Sequence, residues 1–586
     1  MNQTGQTNIT RRMRLFLTVS AILVVVFAIR LIDFQVVRAE AISEYSYENR
    51  AVTRTIPAIR GDIVDANGNV LATSVYRYDI NAAPSMVKPV SRVVDGVEQV
   101  ISVEAVAADL ARILQEDIAV LLPKLTGTSN YVNLKKRVDA DTHRSIEELG
   151  IPWIFSDAHQ NRLYPNGAVA GNLIGFVDTD GMALAGLERQ FNACLAGVDG
   201  QERFERGVDG IRIPSSAVVT QEVSHGRSVV LTIDASLQYH AQQTLASEVE
   251  RLDADWATAV VIEVKTGRIV LAAEAPSVDP NDPGKSAPEE RGARVFQYAY
   301  EPGSTMKSLT AATAIETGFA TMATAVVAPY QMALFDRTIK DFLPHETWNL
   351  TLAGVLTKSS NVGMIKIAEN IPASTRFEFM QRFGFGKPTE VGFEGETGGL
   401  LSDYNNWDGV TNFTTTFGQG LSVSAVQMAS VYQTLANGGV RLNPVLVAGC
   451  VDDAGEITSV PKTTSTQVVS AQTAQDVMLM LEKVVEDGGI GQATAVPGYR
   501  SAGKTGTAEI QEGGGYGEYF ATSFFGMAPV DNPQYAMGVM IYKPKQVHTN
   551  SMAAAASYQK ILSQVLLTNR VAPSTTVSPE IATEWE

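Results

Sequence analysis

Cysteine is scarce in this sequence, with two residues in 586, and histidine is almost as rare, with six. Cys194 and Cys450 stand far apart and the histidines are scattered, so neither residue type forms a pattern with metal-ligand spacing. We therefore expect no metal and no other cofactor, and no disulfide framework. The two cysteines could pair in an oxidising compartment, but two unconnected thiols are the expectation from spacing alone.

Clustered positive charge is also missing. The 46 Lys and Arg residues are outnumbered by 63 Asp and Glu residues, which gives a formal net charge of −17 at pH 7. A face that binds nucleic acid needs Lys and Arg concentrated along it to neutralise phosphates. We therefore expect no nucleic-acid partner. The remaining composition, 45% hydrophobic and 19% charged, is that of a folded globular protein.

The long hydrophobic run of this sequence lies at its N-terminus. Three arginines in residues 1–14 precede an apolar segment, residues 15–37, which reaches the roughly 20 residues needed to span hydrocarbon if Arg30 snorkels at the far interface. This pattern predicts a single membrane anchor with a cytoplasmic tail before it and the rest of the chain outside. A cleaved signal peptide, with a faint cleavage-like site at residues 39–41, is the alternative; the apolar run is longer than usual for one.

The remainder of the chain divides near residue 225. Residues 38–225 alternate short apolar runs with turns, and the stretch RGDIVDANGNVLATS, from Arg60, predicts a hairpin. A helix is predicted over Val103 to Leu122. This part contains no converging acids, bases and nucleophiles, so we interpret it as an elongated, mostly-β structural or docking module.

Residues 226–571 show the pattern of a larger domain with both helices and strands. SLQYHAQQTLASEVERL has apolar positions at helical spacing, while TAVVIEV and RIVLAA predict two strands joined by a tight turn at Lys265 to Gly267. Residues 572–586 are polar and contain proline, which predicts a disordered tail.

The stretch GYRSAGKT, from Gly498, fits the phosphate-binding pattern G-x-x-x-x-G-K-[ST] at every fixed position. Such a loop must open a helix whose N–H groups face the phosphate. Lys504 instead begins KTGTAEI, which alternates as a strand does, and SFFGMAP and YAMGVMIYK are its predicted antiparallel neighbours. We therefore predict no nucleotide site. A lysine and hydroxyls on an edge strand suit a carboxylate and an extended peptide instead.

A second motif, EPGSTMKSLTAATAIETG, carries a candidate nucleophile. Pro302 and Gly303 end the preceding loop, and Ser304 stands at the start of an apolar-periodic helix. Lys307 follows on the same helical face, so its amine can reach the Ser304 hydroxyl. A lysine can take the proton of a serine only if burial or neighbouring cations lower its pKa towards neutrality.

A third motif lies in LAGVLTKSSNVGMIKIAENI, where the polar residues Ser359, Ser360 and Asn361 interrupt a helical pattern. These residues also suit a simple turn or helix cap. Placed beside Lys307, however, Ser359 could pass a proton to a leaving nitrogen. S-x-x-K, S-x-N and K-T-G in this order are far rarer by chance than any one alone, so we interpret them as parts of one site.

The three motifs, together with RGDIVDANGNVLA, RLYPNGAVAGNLIGFV and GLERQFNACLAG in the first half, resemble those of a class B penicillin-binding protein. The resemblance is closest to the cell-division (FtsI) type of Gram-negative bacteria and covers nearly the whole chain. It implies an α+β fold: one transmembrane helix, a mostly-β pedestal module, and a transpeptidase domain with a five-stranded antiparallel sheet flanked by helices.

The resemblance also implies a chemistry. Ser304 would attack the D-Ala-D-Ala bond of a peptidoglycan stem peptide, with Lys307 as its base, and a neighbouring stem's amine would resolve the acyl-enzyme. Ser359 would pass a proton to the leaving amine, and Asn361 would orient the donor. Lys504 and Thr505 would bind the terminal carboxylate, or that of a β-lactam, and Gly506 and Thr507 would complete the substrate-binding strand. Backbone N–H groups of Ser304 and Thr507 would form the oxyanion hole.

The implied setting is the division septum, with the catalytic domain in the periplasm of a single-pass inner-membrane protein. The implied partners are a SEDS-type glycosyltransferase and other divisome membrane proteins, because no glycosyltransferase motif is present in the first 225 residues. An elongation-type transpeptidase and a D,D-carboxypeptidase remain alternatives. A non-catalytic β-lactam sensor is a further one, but it would need a cytoplasmic output domain, which the short N-terminal tail does not offer.

Overall fold

The computed structural model describes residues 4–94, 97–205, 207, 213–452, 454–486, 488–512, 515–546 and 552–586. The chain divides into two compact units. The smaller comprises Met1–Ile59, Tyr76–Gln160 and Gly197–His225, and the larger comprises Arg60–Val75, Asn161–Ala196 and Gly226–Glu586. Our single boundary near residue 225 thus differs from the structure. Two earlier segments belong to the larger unit because residues such as Ile63 and Leu195 are part of its apolar core.

The N-terminal apolar segment is helical. Helix Thr4–Ile32 continues into a short π-helical stretch, Asp33–Val37, and helix Ala39–Arg50 follows. Within Ile9–Val37 the mean hydropathy reaches 2.7 and no residue of that window is buried, so this helix is long and apolar enough to cross a membrane. By length and composition the helix fits the predicted membrane anchor, as it would a signal sequence.

The smaller unit is a mixture of short strands and helices around its own core. Its strands are Ala51–Ile56, Val90–Val94, Val97–Ile101, Val132–Val138, Gly200–Glu205 and Val218–Gln221, with parts of Val70–Ala82 and Ile154–Leu163. Helices Val103–Leu114, Ile118–Lys124 and Ala140–Glu147 pack around Leu110, Leu121 and Trp153. The predicted helix over 103–122 is therefore broken in two, because Gln115 turns left-handed and Asp117 caps a new helix.

The larger unit is built on the predicted five-stranded antiparallel sheet. Its strands, in spatial order, are Ile269–Ala275, Trp256–Glu263, Tyr535–Tyr542, Gly515–Ala528 and Ala502–Glu512. Both faces of the sheet are covered, since Val261 lies in one apolar core and its neighbours Val260 and Ile262 lie in the other. Burial on both faces explains why the central strands are continuous apolar runs. Strand Ala502–Glu512 lies at an edge.

Helices flank the sheet as predicted. Ala235–Leu252 and Ala555–Thr568 pack on one face, and Ala425–Ala436 and Ala471–Val485 on the other. The latter side also carries the helices that hold the predicted site: Lys307–Glu316, Leu352–Lys358 and Asn361–Ala368. The remaining helices are Gly171–Ile174, Gly186–Gln190, Asn192–Leu195, Arg294–Gln297, Ala373–Arg382 and Thr411–Thr414.

Short strands complete the larger unit. They are Ile63–Val64, Val229–Leu231, Ala299–Tyr300, Ala325–Ala328, Gln331–Leu334, Arg337–Lys340, Trp348–Thr351, Val423–Ser424, Val440–Leu442, Val447–Val451, Ile457–Thr458 and Ser465–Gln467. The hairpin predicted after Arg60 is present, because Ile63 and Val64 pair antiparallel with Ala72 and Val70.

The C-terminal residues differ from our expectation of a disordered tail. Residues 574–585 lie against the larger unit, where the Ser574 hydroxyl donates to Asp531 at 2.7 Å and the Thr351 N–H donates to the Thr583 carbonyl at 3.0 Å. A polar, proline-containing composition indicates only that a segment cannot build its own core. It carries no information about docking on a surface that is already folded.

The expectation of two unconnected thiols is wrong. Cys194 and Cys450 form a disulfide, with their Cα atoms 6.4 Å apart, and both side chains are buried. The bond joins the short helix Asn192–Leu195 to strand Val447–Val451, across 256 residues of sequence. Sequence spacing could not reveal the pair because the fold alone brings the two segments together.

We predict that Cys450→Ser lowers the free energy of unfolding by about 2–5 kcal/mol, the usual range when a native disulfide is removed. Thermal unfolding followed by circular dichroism checks this, with Cys194→Ser as the matched variant, which should lose the same amount. Thiol titration of the denatured, unreduced wild type is the control. Two reactive thiols in that titration would contradict the bond.

Candidate active site

Ser304 lies in a 3-10 turn, Gly303–Met306, that leads directly into helix Lys307–Glu316. Gly303 has φ +54°, and a Cβ at this position would lie 2.9 Å from the carbonyl oxygen of Thr507. Only glycine adopts this conformation easily and lets the turn come so close to the edge strand. The turn therefore holds Ser304 against strand Ala502–Glu512.

Three oxygens lie closest to the buried amine of Lys307. Its Nζ lies 2.9 Å from Ser304 Oγ, 2.7 Å from the Ser359 carbonyl oxygen and 2.7 Å from Asn361 Oδ1. A neutral amine has two N–H donors, which the carbonyl and amide oxygens can accept, and one lone pair, which remains for the Ser304 O–H. Burial lowers the pKa of Lys307 to about 7, against the opposing effect of the Asp341 charge. The amine can therefore act as a base near neutral pH.

Ser359 stands at the turn between helices Leu352–Lys358 and Asn361–Ala368, with φ +58°. Its hydroxyl oxygen lies 3.4 Å from the Lys307 amine. The next residue, Ser360, caps the second helix by accepting a hydrogen bond from the Gly363 N–H at 2.8 Å. The turn thus has both features considered from the sequence: it caps a helix, and it brings a hydroxyl beside the lysine.

The amine of Lys504 contacts the same hydroxyl. It donates to Ser359 Oγ at 2.8 Å and to Thr505 Oγ1 at 3.1 Å. Burial lowers the pKa of Lys504 well below its usual value, and the charge of nearby Lys307 lowers it further. A carboxylate that arrived at this amine would favour its protonated form, because an opposite charge offsets both effects.

The strand that carries Lys504 also carries Thr505, Gly506 and Thr507. It pairs on one side with Gly515–Ala528, and no strand pairs with its other side among the described residues. Alternate backbone N–H and C=O groups therefore remain open to an extended peptide. A Cβ on Gly506 would lie 2.4 Å from Ser523 Oγ and 2.9 Å from a Thr305 methyl carbon, so a larger residue would separate the strand from the Ser304 turn.

These residues line a cavity of about 660 Å³. The predicted residues on its surface are Ser304, Ser359, Asn361, Thr505 and Thr507, and the wall includes Trp348, Tyr516 and Phe520. Lys307 and Lys504 are fully buried next to them. The structure thus brings together all three motifs from elements that are far apart in sequence. Within the described ranges, no group of three or more His, Cys, Asp or Glu side chains could hold a metal ion.

Sequence reasoning missed the carboxylate that supports this site. Asp341 is buried and accepts hydrogen bonds from Ser360 Oγ at 2.6 Å and from the N–H groups of Asn361 and Val362 at 2.5 and 3.0 Å. His345 Nε2 lies 3.0 Å from the same carboxylate. Asp341 therefore fixes the start of helix Asn361–Ala368, where a negative charge is favoured by the helix dipole. No local pattern around Asp341 signals this role.

A serine that faces a buried lysine, with a second lysine and an open edge strand beside it, defines a serine acyltransferase for peptide-like substrates. Comparisons with known proteins agree. The family model described as the penicillin-binding protein transpeptidase domain matches residues 257–566, and that of the penicillin-binding protein dimerisation domain matches residues 55–231. The chain belongs to the penicillin-binding proteins, with the domain pair of their class B members.

Relatives of known identity match over most of the chain. Penicillin-binding protein PbpB of Mycolicibacterium smegmatis is 32% identical over 96% of this chain and 91% of its own length. Peptidoglycan D,D-transpeptidase FtsI of Escherichia coli is 30% identical, over 88% of this chain and 84% of its own length. The predicted class B, FtsI-type family is confirmed. The similar level of identity to a mycobacterial protein does not favour a Gram-negative group.

Solved structures show the same fold. Penicillin-binding protein 3 of Mycobacterium tuberculosis in complex with aztreonam has a TM-score of 0.70 and 28% identity, covering 91% of this chain and 100% of that chain. A peptidoglycan synthetase of Bifidobacterium adolescentis has a TM-score of 0.72 and 28% identity, covering 92% of this chain and 100% of that chain.

We predict that acylation of Ser304 by a penicillin becomes faster as the pH rises through about 7, because only the neutral Lys307 amine can take the serine proton. Replacing Asp341 by Asn should move the midpoint of this profile to lower pH, since the Asp341 charge raises the pKa of Lys307. Stopped-flow acylation rates across pH 5–9 measure both effects.

The control is Asp336→Asn, which removes an exposed carboxylate from the same region. It should leave the midpoint in place. A midpoint that stays fixed or moves to higher pH in Asp341→Asn would contradict the assignment of Lys307 as the titrating base.

Proposed function

We propose that this chain is a peptidoglycan D,D-transpeptidase that works through an acyl-enzyme on Ser304 and that β-lactams inhibit. The observation that carries the proposal is the 2.9 Å approach of Ser304 Oγ to a buried lysine amine whose pKa is near neutrality. The open edge strand beside it offers a place for the donor peptide.

Acylation begins when the Lys307 amine accepts the proton of Ser304 Oγ. The oxygen attacks the carbonyl carbon of the D-Ala-D-Ala bond, and negative charge develops on the carbonyl oxygen. We assign the stabilisation of that charge to the backbone N–H groups of Ser304 and Thr507, since one such donor can contribute roughly 10²–10³ in rate. Collapse of the intermediate breaks the C–N bond and leaves an ester on Ser304.

The leaving D-Ala needs a proton on its nitrogen. Ser359 supplies it, because its hydroxyl lies between the two lysine amines, at 3.4 Å from Lys307 and 2.8 Å from Lys504. The proton taken up by Lys307 replaces the one that Ser359 gives away. Asn361 holds Lys307 through its Oδ1 and orients the donor amide.

The donor's terminal carboxylate binds at Lys504 and Thr505. Burial lowers the pKa of the Lys504 amine in the free site, and a bound carboxylate favours the protonated amine again, so the anion and a proton are taken up together. A penicillin presents both a carboxylate and a strained amide, and it therefore acylates Ser304 in place of the peptide. An amine from a neighbouring stem peptide then attacks the ester and loses its proton to Lys307. The C–O bond to Ser304 breaks as Lys307 returns that proton to Ser304 Oγ, and the new amide bond is the cross-link.

We place the enzyme at the division septum, anchored by the N-terminal helix, with the catalytic unit outside the cytoplasm. The proposal rests on the apolar helix within Ile9–Val37, on the arginines before it, and on the relationship to FtsI. Glycan polymerisation falls to a separate SEDS-type partner in the same membrane complex.

We predict that a fluorescent penicillin labels the wild-type protein and not Ser304→Ala, because the variant lacks the oxygen that forms the ester. Gel fluorescence after a fixed exposure measures this. Ser308→Ala is the matched control: Ser308 is a buried serine on the same helix that bonds Tyr432, so its loss should leave labelling in place. Equal labelling of wild type and Ser304→Ala would refute the proposal.

Product analysis separates the alternatives. With a D-Ala-D-Ala stem peptide and an excess of an amine acceptor, a transpeptidase gives the cross-linked dimer, whereas a carboxypeptidase gives only the shortened peptide. A β-lactam sensor gives neither product. Fluorescence microscopy of the tagged protein distinguishes septal from lateral-wall placement and therefore division from elongation.

A further inference from the structure

The C-terminal segment first contacts the loop that precedes Lys504. The Ser574 N–H donates to the Gly498 carbonyl at 3.0 Å, and Ser574 Oγ accepts a hydrogen bond from the Arg500 N–H at 3.0 Å. The Arg500 side chain also donates to Thr576 Oγ1 at 2.7 Å. Arg500 stands just before strand Ala502–Glu512, so the segment holds the beginning of the strand that carries Lys504.

The last residues of the segment pair, as a short strand would, with strand Trp348–Thr351. The Thr351 N–H donates to the Thr583 carbonyl at 3.0 Å, and the Trp585 N–H donates to the Asn349 carbonyl at 3.2 Å. Leu350 and Glu584 face each other in an antiparallel bridge. The indole N–H of Trp585 donates to the Val326 carbonyl at 3.3 Å, so the last residues span both strands of the pair Ala325–Ala328 and Trp348–Thr351.

This small sheet leads directly to Ser359. Strand Trp348–Thr351 continues without a loop into helix Leu352–Lys358, and Ser359 ends that helix. Thr351 caps the helix through Gly354 N–H and donates its hydroxyl to the Ala582 carbonyl at 2.7 Å. A displacement of this strand would therefore be transmitted along a single helix to the Ser359 turn.

Gly354 shows how closely the segment is fitted. A Cβ at this position would lie 1.8 Å from the Thr583 carbonyl oxygen, a distance that no real side chain tolerates. The backbone of the segment can approach the helix only because residue 354 is glycine. The contact is therefore specific to this site on the helix, and a change of the helix alone can break it.

We propose that residues 574–585 act as a strap that positions the acyl-transfer site, with Trp585 as its terminal anchor. The strap ties the loop before Lys504 to the strand before Ser359, and so sets the distance between the Lys504 amine and the Ser359 hydroxyl. This inference rests on the proposed function. A misplacement of about 1 Å in such a site can reduce a rate about a hundredfold, so a support outside the cavity can control the chemistry.

The test is deletion of residues 574–586 from the full chain, followed by acylation with a fluorescent penicillin over a range of concentrations. This design separates the limiting acylation rate from the dissociation constant of the initial complex. We expect the limiting rate to fall at least about tenfold, at a temperature where circular dichroism shows the folded spectrum. Val577→Ser is the control, because Val577 is 91% exposed within the same segment, and its rate should be unchanged.

Gly354→Ala provides a second and independent variant. In the full chain the new methyl group displaces the strap, so the limiting rate should fall as it does in the deletion. In the deleted chain the same substitution should have a much smaller effect, because the Thr583 carbonyl is absent and only Leu350 Cδ2, at 3.2 Å, remains close to the new methyl group. Trp585→Ala in the full chain should give a smaller loss in the same direction, and this variant and Gly354→Ala decide the question if the deleted chain does not fold.

A deletion variant that is acylated at the full-length rate would overturn the proposal, as would a Gly354→Ala loss that is equal with and without the strap. A lowered melting temperature with an unchanged limiting rate would also overturn it, since that result describes a purely structural segment. Failure of the proposed function looks different, because labelling of Ser304→Ala would then persist whatever the state of the strap.

Discussion

Two buried lysine amines that share one serine hydroxyl are the constraint on which the rest of the site depends. Moving an ammonium ion out of water costs several kcal/mol. Lys307 and Lys504 are both fully buried, so their charged forms are destabilised. Both pKa values fall because of burial, and the charge of Lys307 lowers that of Lys504 further. Because burial destabilises the ammonium form, Lys307 can act as a base near neutral pH. For Lys504, a bound anion would favour the protonated form again.

The fold maintains this arrangement by bringing backbones together where side chains would not fit. Gly303 and Gly506 lie where the nucleophile turn meets the edge strand, and a Cβ on either would collide with the other element. Asp341 holds the Ser360 hydroxyl and the first N–H groups of helix Asn361–Ala368. The hydroxyls and amines are thus fixed by the packing of the backbone around them, which lets the site form before a substrate arrives.

The sequence predicted those parts of the molecule that have a local signature. The central strands, the helix after Ser304 and the break at Ser359 all follow from apolar periodicity and polar interruptions, and the structure contains each of them. The ordered triplet of motifs predicted which residues would meet, because three unrelated matches in that order are rare. Their distances and hydrogen bonds depended on the tertiary structure.

The features that could not be predicted are pairings between distant segments. Asp341 has no motif, and its role follows only from the helix start that folds onto it. Cys194 and Cys450 are separated by 256 residues and meet because two short elements of the larger unit pack together. For the same reason, the sequence did not predict that two segments from the first part of the chain belong to the larger unit. A change of composition along the chain cannot show that an early segment packs into a core formed mainly by later residues.

The C-terminal segment shows most clearly why composition misleads. Most of its residues are exposed and most are polar, and in composition the segment resembles a disordered tail. An added strand, however, needs only backbone hydrogen bonds and a few side-chain anchors, and these are supplied by the partner strand Trp348–Thr351 and by Asp531. The segment is ordered by the surface on which it docks, above all because the lack of a side chain at Gly354 leaves room for its backbone.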